Sequence, residues 1–149
     1  MDTDRYYRHL KRQERKINEL SGRFMNNTKW FKLFKTLSEN SEVIKKCSIV
    51  NIYDDVPRTI EIPTQEEFFI VYDQKGIKDE PTAGGPMLFK EIRWIEFPAK
   101  WSIQRTMRDE VLQPLIFDQN LDLIENILVK TGELEIERDE ICLKIYGYR

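Results

Sequence analysis

Residues 47–62, CSIVNIYDDVPRTIEI, carry the clearest indication of the fold class of this chain. The first part is apolar and rich in β-branched residues, which is typical of a strand, and TIEI at residues 59–62 alternates as a half-buried strand does. DDVP at residues 54–57 has the composition of a turn. Because strands joined by so short a turn pair antiparallel, the sequence predicts an antiparallel sheet.

More strands are predicted downstream of this hairpin. FFIVY at residues 68–72 is apolar at every position, which is typical of a central strand covered on both faces. This interpretation places Phe69 and Val71 in the core. Further strands are predicted at residues 92–97, 134–137 and 141–146, and the last two form a hairpin.

Helices complete the predicted architecture. Residues 28–39, with Asn27 as the expected cap, carry an apolar stripe at helical spacing. Residues 99–117 are ambiguous, but their apolar residues keep helical spacing up to Pro114, so we count this segment as a helix. Asp118 is the expected cap of the last helix. This order of elements indicates an α+β fold, a mainly antiparallel sheet with helices packed on one face.

The N-terminal segment has the features of a basic helical arm. Residues 1–25 carry seven basic against four acidic side chains, a net of +3, so residues 26–149 net −5 in a chain of −2. The apolar residues of the arm keep helical spacing over barely two heptads, too short for a stable coiled coil. We expect residues 1–24 to be an arm that docks on the single domain of residues 25–149 or self-associates with the arm of a second copy.

The sequence carries no recognisable catalytic or cofactor signature. His9 is the only histidine and lies in the arm, whereas acid–base catalysis and nucleophile activation usually recruit histidine. The two cysteines lack zinc-site spacing, and Gly84-Gly85 lacks both phosphate-loop patterns. We therefore expect a protein that is not an enzyme and has no metal or cofactor. A metal-dependent enzyme that uses carboxylates alone is an alternative.

Acidic side chains are the stronger functional signal. Residues 118–140 hold eight acids against Lys130 and Arg138, and an acidic surface attracts basic partners. The alternative role for these acids is to prevent strand pairing at a sheet edge. The candidate partner-binding residues are Asp54, Asp55, Asp79, Glu80, Glu133, Glu135, Glu137 and Asp139, with Trp101 as an aromatic anchor. The second functional hypothesis is a nucleic-acid-associated regulator that uses the basic arm.

The sequence also bears on location. No run approaches the ~18 apolar residues that a membrane span needs. The N-terminal residues lack the apolar stretch of a secretory signal. We expect a cytoplasmic protein.

Four stretches resemble an uncharacterised family of small bacterial domains. They are NNTKWFKLFKTL at 26–37, FFIVYD at 68–73, GGPMLFKEIRWIEFP at 84–98 and IYGY at 145–148. The resemblance covers about residues 25–149, and its motifs are hydrophobic, so it implies fold more than function and supplies no catalytic residues. Related small acidic bacterial proteins are often immunity proteins. The resemblance therefore implies an immunity-type inhibitor that occludes a basic partner such as a toxin.

Overall fold

The computed structural model describes residues 3–78 and 85–149 and has the expected α+β fold with a mainly antiparallel sheet. Its helices are α1 (Thr3–Asn18), α2 (Asn27–Glu39), α3 (Phe68–Val71) and α4 (Leu121–Leu128). Its strands are β1 (Cys47–Asn51), β2 (Arg58–Ile60), β3 (Gly76–Ile77), β4 (Met87–Leu88), β5 (Ile92–Pro98), β6 (Lys100–Met107), β7 (Glu110–Asp118), β8 (Ile136–Arg138) and β9 (Cys142–Tyr146). The candidate residues Asp79 and Glu80, and Gly84, lie outside the described residues.

The central sheet has the strand order β2-β1-β5-β9-β8, and every neighbouring pair is antiparallel. Ile49, Ile95 and Ile145 lie opposite one another on β1, β5 and β9, and all three are buried. Apolar side chains of α2 and α4 join the same core as this row. The two hairpins predicted from residues 47–62 and from the C-terminal segment are confirmed.

The two capped helices begin with different residues from those expected. The side chains of Asn26 and Asn120 each accept a hydrogen bond from the backbone N–H three residues on, at 2.8 and 3.1 Å. Asn27 is instead the first residue of α2, and Asp118 is the last residue of β7. Both predicted caps are therefore wrong by one or two residues, because the residue with extended backbone just before the first turn is the one that caps.

The predicted central strand at residues 68–72 is wrong, since this segment forms the short helix α3. The rings of Phe68 and Tyr72 stack with centroids 5.0 Å apart, and both side chains are buried. Phe69 is exposed and Val71 is half-buried, so neither is the core residue that a two-sided strand requires. Positions i and i+4 share one face of a helix, and here the buried pair occupies that face.

The helical interpretation of residues 99–117 is also wrong, because β6 and β7 form a hairpin. Arg108 and Asp109 make the turn, with left-handed φ values of 50° and 65°. Pro114 is accommodated where the register between the strands shifts, and bulges of this kind tolerate proline. A spacing of four residues, as between Ile103 and Met107, keeps two side chains on one face of a strand as well as of a helix.

Gln119 ties the base of this hairpin to the body. Its Nε2 donates to the carbonyl oxygens of Lys46 and Pro98 at 2.9 and 2.8 Å. Its Oε1 accepts from the backbone N–H groups of Lys45 and Lys46 at 3.0 and 3.1 Å. One buried amide thus joins the segment before β1, the end of β5 and the end of β7.

The N-terminal arm lies against the body. Gln13 is buried, and the guanidinium of Arg12 stacks 4.8 Å from the ring centroid of Tyr53. After α1, the backbone N–H of Phe24 donates to the carbonyl of Gly147 at 2.9 Å, close to the C-terminus. Self-association through the arm stays a prediction. Among the described residues, no helix combines the length and the apolar character that crossing a membrane requires.

Candidate protein-binding surface

The turn that contains Asp54 and Asp55 holds one acid that is bound within the turn and one that is largely exposed. Both carboxylate oxygens of Asp54 accept hydrogen bonds from the Arg58 guanidinium, at 3.0 and 2.8 Å. These bonds, together with one from the Val56 N–H, hold the pKa of Asp54 below its usual range. Asp55 is largely exposed and lies 3.5 Å from Arg93, so it is the more accessible acid of the two.

Glu135 and Glu137 are brought together, but a cation lies between them. Arg149 binds the carboxylate of Glu135 at 3.0 Å and that of Glu137 at 2.6 Å. The Tyr146 hydroxyl donates to Glu137 at 3.1 Å, and the pKa of Tyr146 is raised by burial and then by this carboxylate. Lys144 lies opposite Glu137 in the sheet. The C-terminal cations therefore offset much of the negative charge predicted here.

Other acids of the C-terminal segment have structural partners as well. The Arg138 guanidinium binds the carboxylates of Asp122 at 2.6 Å and Glu125 at 2.7 Å. The hydrogen bonds that it donates to them, first to Glu125 and then to Asp122, raise the pKa of Arg138. Asp139 accepts from the backbone N–H groups two and three residues on, at 2.8 and 2.9 Å, and so shapes the turn between β8 and β9. Glu133 is exposed and makes no ion pair within residues 3–78 and 85–149.

Trp101 is placed at the base of the β6–β7 hairpin. Its ring stacks on Phe117, with centroids 5.7 Å apart and planes 15° from parallel, and it is half-buried. The ammonium group of Lys46 lies 5.8 Å from the same ring. Trp101, which the sequence allowed as an exposed anchor or as a core residue, is thus a half-buried member of a packed cross-strand pair.

The exposed aromatic anchor that the sequence did not reveal is on α3. Phe69 and Ile70 are 61% and 66% exposed. They are held in place by Phe68, which is buried and packs edge-on against Phe31 with centroids 5.3 Å apart. The ammonium group of Lys78 donates to the carbonyl oxygen of Phe69. Two adjacent apolar side chains therefore project into solvent from a fixed turn of helix.

Acids border this apolar pair, which we call the α3 anchor (Phe69 and Ile70). Glu66 and Glu67 directly precede α3, are exposed, and form no ion pair in the part of the chain that the structure describes. A shallow cleft beside Phe69 is lined by Lys35, Ser38, Glu39, Gln65 and Phe68. In the sequence, Glu66 and Glu67 precede two aromatic residues spaced four apart, Phe68 and Tyr72, which is typical of an amphipathic helical turn. The uniformly apolar run FFIVY favoured a strand instead.

Reactive groups are few on this surface. Among the described residues, no cluster of three or more His, Cys, Asp or Glu side chains is arranged to hold a metal ion. Burial raises the pKa of the Cys47 thiol, and burial followed by nearby Glu96 raises that of Cys142 to about 11. Thiols held protonated in this way are weak nucleophiles at neutral pH.

Comparisons with protein families, with curated proteins and with solved structures found no match to this chain. Two features of the described surface are suited to binding a partner. They are the α3 anchor and the exposed acids without an ion pair, of which Glu66 and Glu67 adjoin it.

Proposed function

We propose that this chain is a non-catalytic binding protein that covers the functional surface of a basic protein partner, as an immunity protein neutralises a toxin. The observation that carries the proposal is the α3 anchor, two large apolar side chains exposed on a helix whose neighbouring aromatics are buried. Aromatic residues held by packed neighbours supply much of the binding energy in protein interfaces. The resemblance to small acidic bacterial proteins supports the same class of function.

Charge is the reason for a basic partner. Glu66 and Glu67 adjoin the α3 anchor, and residues 26–149 net −5. Asp55 and Glu133, elsewhere on the surface, add to the same negative field. Complementary charge accelerates association and orients the partner, while the apolar pair slows dissociation.

Occlusion requires a rigid surface and no turnover. Phe68 and Tyr72 fix α3 on the core, and the Tyr72 N–H donates to the Phe68 carbonyl at 2.9 Å. A side chain already ordered in the free protein loses little conformational entropy when it binds. Cytoplasmic location, where an internally produced toxin would be met, belongs to this proposal.

The test compares two isoleucines that differ only in position. Ile70→Ser alters the α3 anchor, and Ile141→Ser alters a comparably exposed isoleucine, at 73% against 66% for Ile70, in the turn before β9. Wild type and both variants are immobilised and exposed to nuclease-treated lysate of the source cells. The basic protein most enriched by wild type is then purified, and its Kd for each variant is measured.

We expect Ile70→Ser to weaken this Kd by roughly tenfold or more, and Ile141→Ser to change it by less than about twofold. Raising the salt concentration from about 50 to about 300 mM should slow association with all three proteins, because exposed charges are screened. Equal Kd values for the two variants would remove α3 from the interface. Enrichment of acidic proteins alone would contradict a basic protein partner, and so would capture from untreated lysate that is absent from the nuclease-treated lysate.

A further inference from the structure

Helix α1 turns one side to the body and the other to solvent. Gln13 is the buried residue of this helix, and Leu10 and Ile17 beside it are half-buried. Because an α-helix has 3.6 residues per turn, the residues two positions before and after a buried one lie on the opposite side. Those residues are Lys11 and Arg15, and both are exposed. The docked arm therefore presents them outward.

The side of α1 that points away from the body is basic and carries an aromatic ring. We call it the α1 outer face (Tyr7, Arg8, Lys11 and Arg15). All four residues are exposed, Tyr7 by 57%. Lys11 and Arg15 make no ion pair with any residue that the structure describes, and Glu19, which follows α1, lies 3.9 Å from Lys16 instead. Two cations of this face are thus available to an external anion.

The charge of α1 is unbalanced along its length. Six basic and two acidic side chains occupy 16 residues, or about 24 Å of helix. The acids are Asp4 at its start and Glu14 on the flank of the α1 outer face. Arg8 and Arg12 are spaced four apart, as are Lys11 and Arg15, and like charges at this spacing destabilise a helix slightly. An anion bound along this face would relieve that repulsion.

We propose that the α1 outer face binds single-stranded nucleic acid, with Lys11 and Arg15 on phosphates and Tyr7 stacked on a base. Neutralisation of phosphates by lysine and arginine supplies the affinity of sequence-independent binding. A single strand fits this face better than a duplex, because only unpaired bases offer their planes to an aromatic ring. Stacking of this kind accepts any base, so the binding has little sequence preference.

A membrane surface is the other large anionic partner that a basic helix can bind. A helix that lies on a membrane turns its apolar face into the lipid. In α1 the apolar side chains Leu10 and Ile17 lie on the side of buried Gln13, towards the body, and the α1 outer face offers only Tyr7. The observations therefore favour nucleic acid, and lipid binding becomes an outcome of the test.

The acidic body does not prevent this binding. Residues 26–149 net −5, and this charge repels phosphates. At physiological ionic strength exposed charges are screened over about 8 Å, and a helix is about 10 Å across. The α1 outer face is thus about one screening length away from the body. It is also distinct from the α3 anchor, and a basic protein bound there neither requires nor excludes nucleic acid on α1.

The experiment measures the fluorescence anisotropy of a labelled single-stranded RNA of about 12 nucleotides, an ordinary site size, on titration with the full chain. The arm variant carries Lys11→Gln and Arg15→Gln. The matched control carries Lys32→Gln and Lys35→Gln, which remove the same charge from exposed positions of α2. Glutamine is as good a helix former as lysine or arginine, so both variants keep their helices. Tyr7→Ser tests the aromatic contribution.

We expect wild type to bind with a Kd below about 100 µM at about 50 mM salt. The arm variant should bind about tenfold more weakly, Tyr7→Ser about fivefold more weakly, and the control should change the Kd by less than about threefold. The slope of log Kd against log salt concentration should be smaller by about 1.4 in the arm variant, since each phosphate contact in a single strand contributes about 0.7.

Three results would overturn the inference. A wild-type Kd weaker than about 100 µM at this salt concentration would leave no useful affinity for nucleic acid. Equal weakening in the arm variant and the control would assign binding to total charge rather than to α1, and an unchanged Kd in Tyr7→Ser would remove the base stacking that selects a single strand. Binding to phosphatidylserine-containing vesicles without binding to the RNA would assign the arm to a membrane.

Discussion

Helix α3 and the β6–β7 hairpin are two apolar segments that each adopt the secondary structure opposite to the one their sequence predicts. The continuous apolar run at residues 68–72 predicts a buried strand and forms a helical turn. The helical spacing within residues 99–117 predicts a helix and forms two strands. Both segments also leave large apolar side chains in solvent.

The difference between them is in what holds each segment. A continuous apolar run has no period, so packing against neighbouring residues decides which of its side chains are buried. In α3, Tyr72 stacks on Phe34 and Phe68 stacks on Tyr72, so these two residues join the aromatic core. The hairpin has no such core, and its strands are held by each other and by Gln119 at the base. The α3 anchor is therefore held by side-chain packing against the core, whereas the hairpin is held mainly by the pairing of its two strands.

The largest expected effect separates two adjacent phenylalanines of α3. Phe68→Ala should lower the free energy of unfolding by about 3–5 kcal/mol, because it empties a buried site between Phe31 and Tyr72. Phe69→Ala should lower it by less than about 1 kcal/mol, because that ring is mostly exposed. Urea unfolding of both variants measures the contrast. Similar losses for the two would restore the strand interpretation of FFIVY.

A smaller effect is expected at the base of the hairpin. Gln119→Ala removes four hydrogen bonds and leaves backbone groups of Lys45, Lys46 and Pro98 without that partner, which should cost about 2–4 kcal/mol. Gln104→Ala, at an exposed position within β6, is the matched control and should change stability by less than about 0.5 kcal/mol. Thermal or urea unfolding decides between them. A loss at Gln119 no larger than at Gln104 would mean that the amide does not fix the hairpin.

The elements that sequence alone predicted are those with a consistent period or with a short polar turn between two strands. The β1–β2 and β8–β9 hairpins and the apolar stripe of α2 each had one interpretation, and the structure confirms them. The acids were harder to interpret, because net charge along the chain does not show which cations fold back onto them. Arg149 reaches Glu135 and Glu137 from the C-terminus, and Arg138 reaches Asp122 on α4. Sequence alone also does not show which apolar residues are exposed, because exposed and buried ones are the same types of residue.

The smallest expected effect is at the turn of the hairpin, where the sign of the change in stability distinguishes a hairpin from a helix. Asp109 has a left-handed backbone with φ of 65°, a conformation that glycine adopts without strain. Tight two-residue hairpin turns favour glycine at this position. Asp109→Gly should therefore raise the free energy of unfolding by about 0.5 kcal/mol. If residues 99–117 were a helix, the same substitution should instead lower stability by roughly 0.5–1 kcal/mol, because glycine is a poor helix former.

Ser102→Gly provides the control for this substitution, because Ser102 lies in the extended part of β6. Glycine within a strand costs conformational entropy and offers no side chain to pack, so this variant should be less stable than wild type. Urea unfolding of both variants measures the two changes. Opposite signs at Asp109 and Ser102 are the outcome that a hairpin requires. Destabilisation at both positions would favour the helix that the sequence spacing predicts.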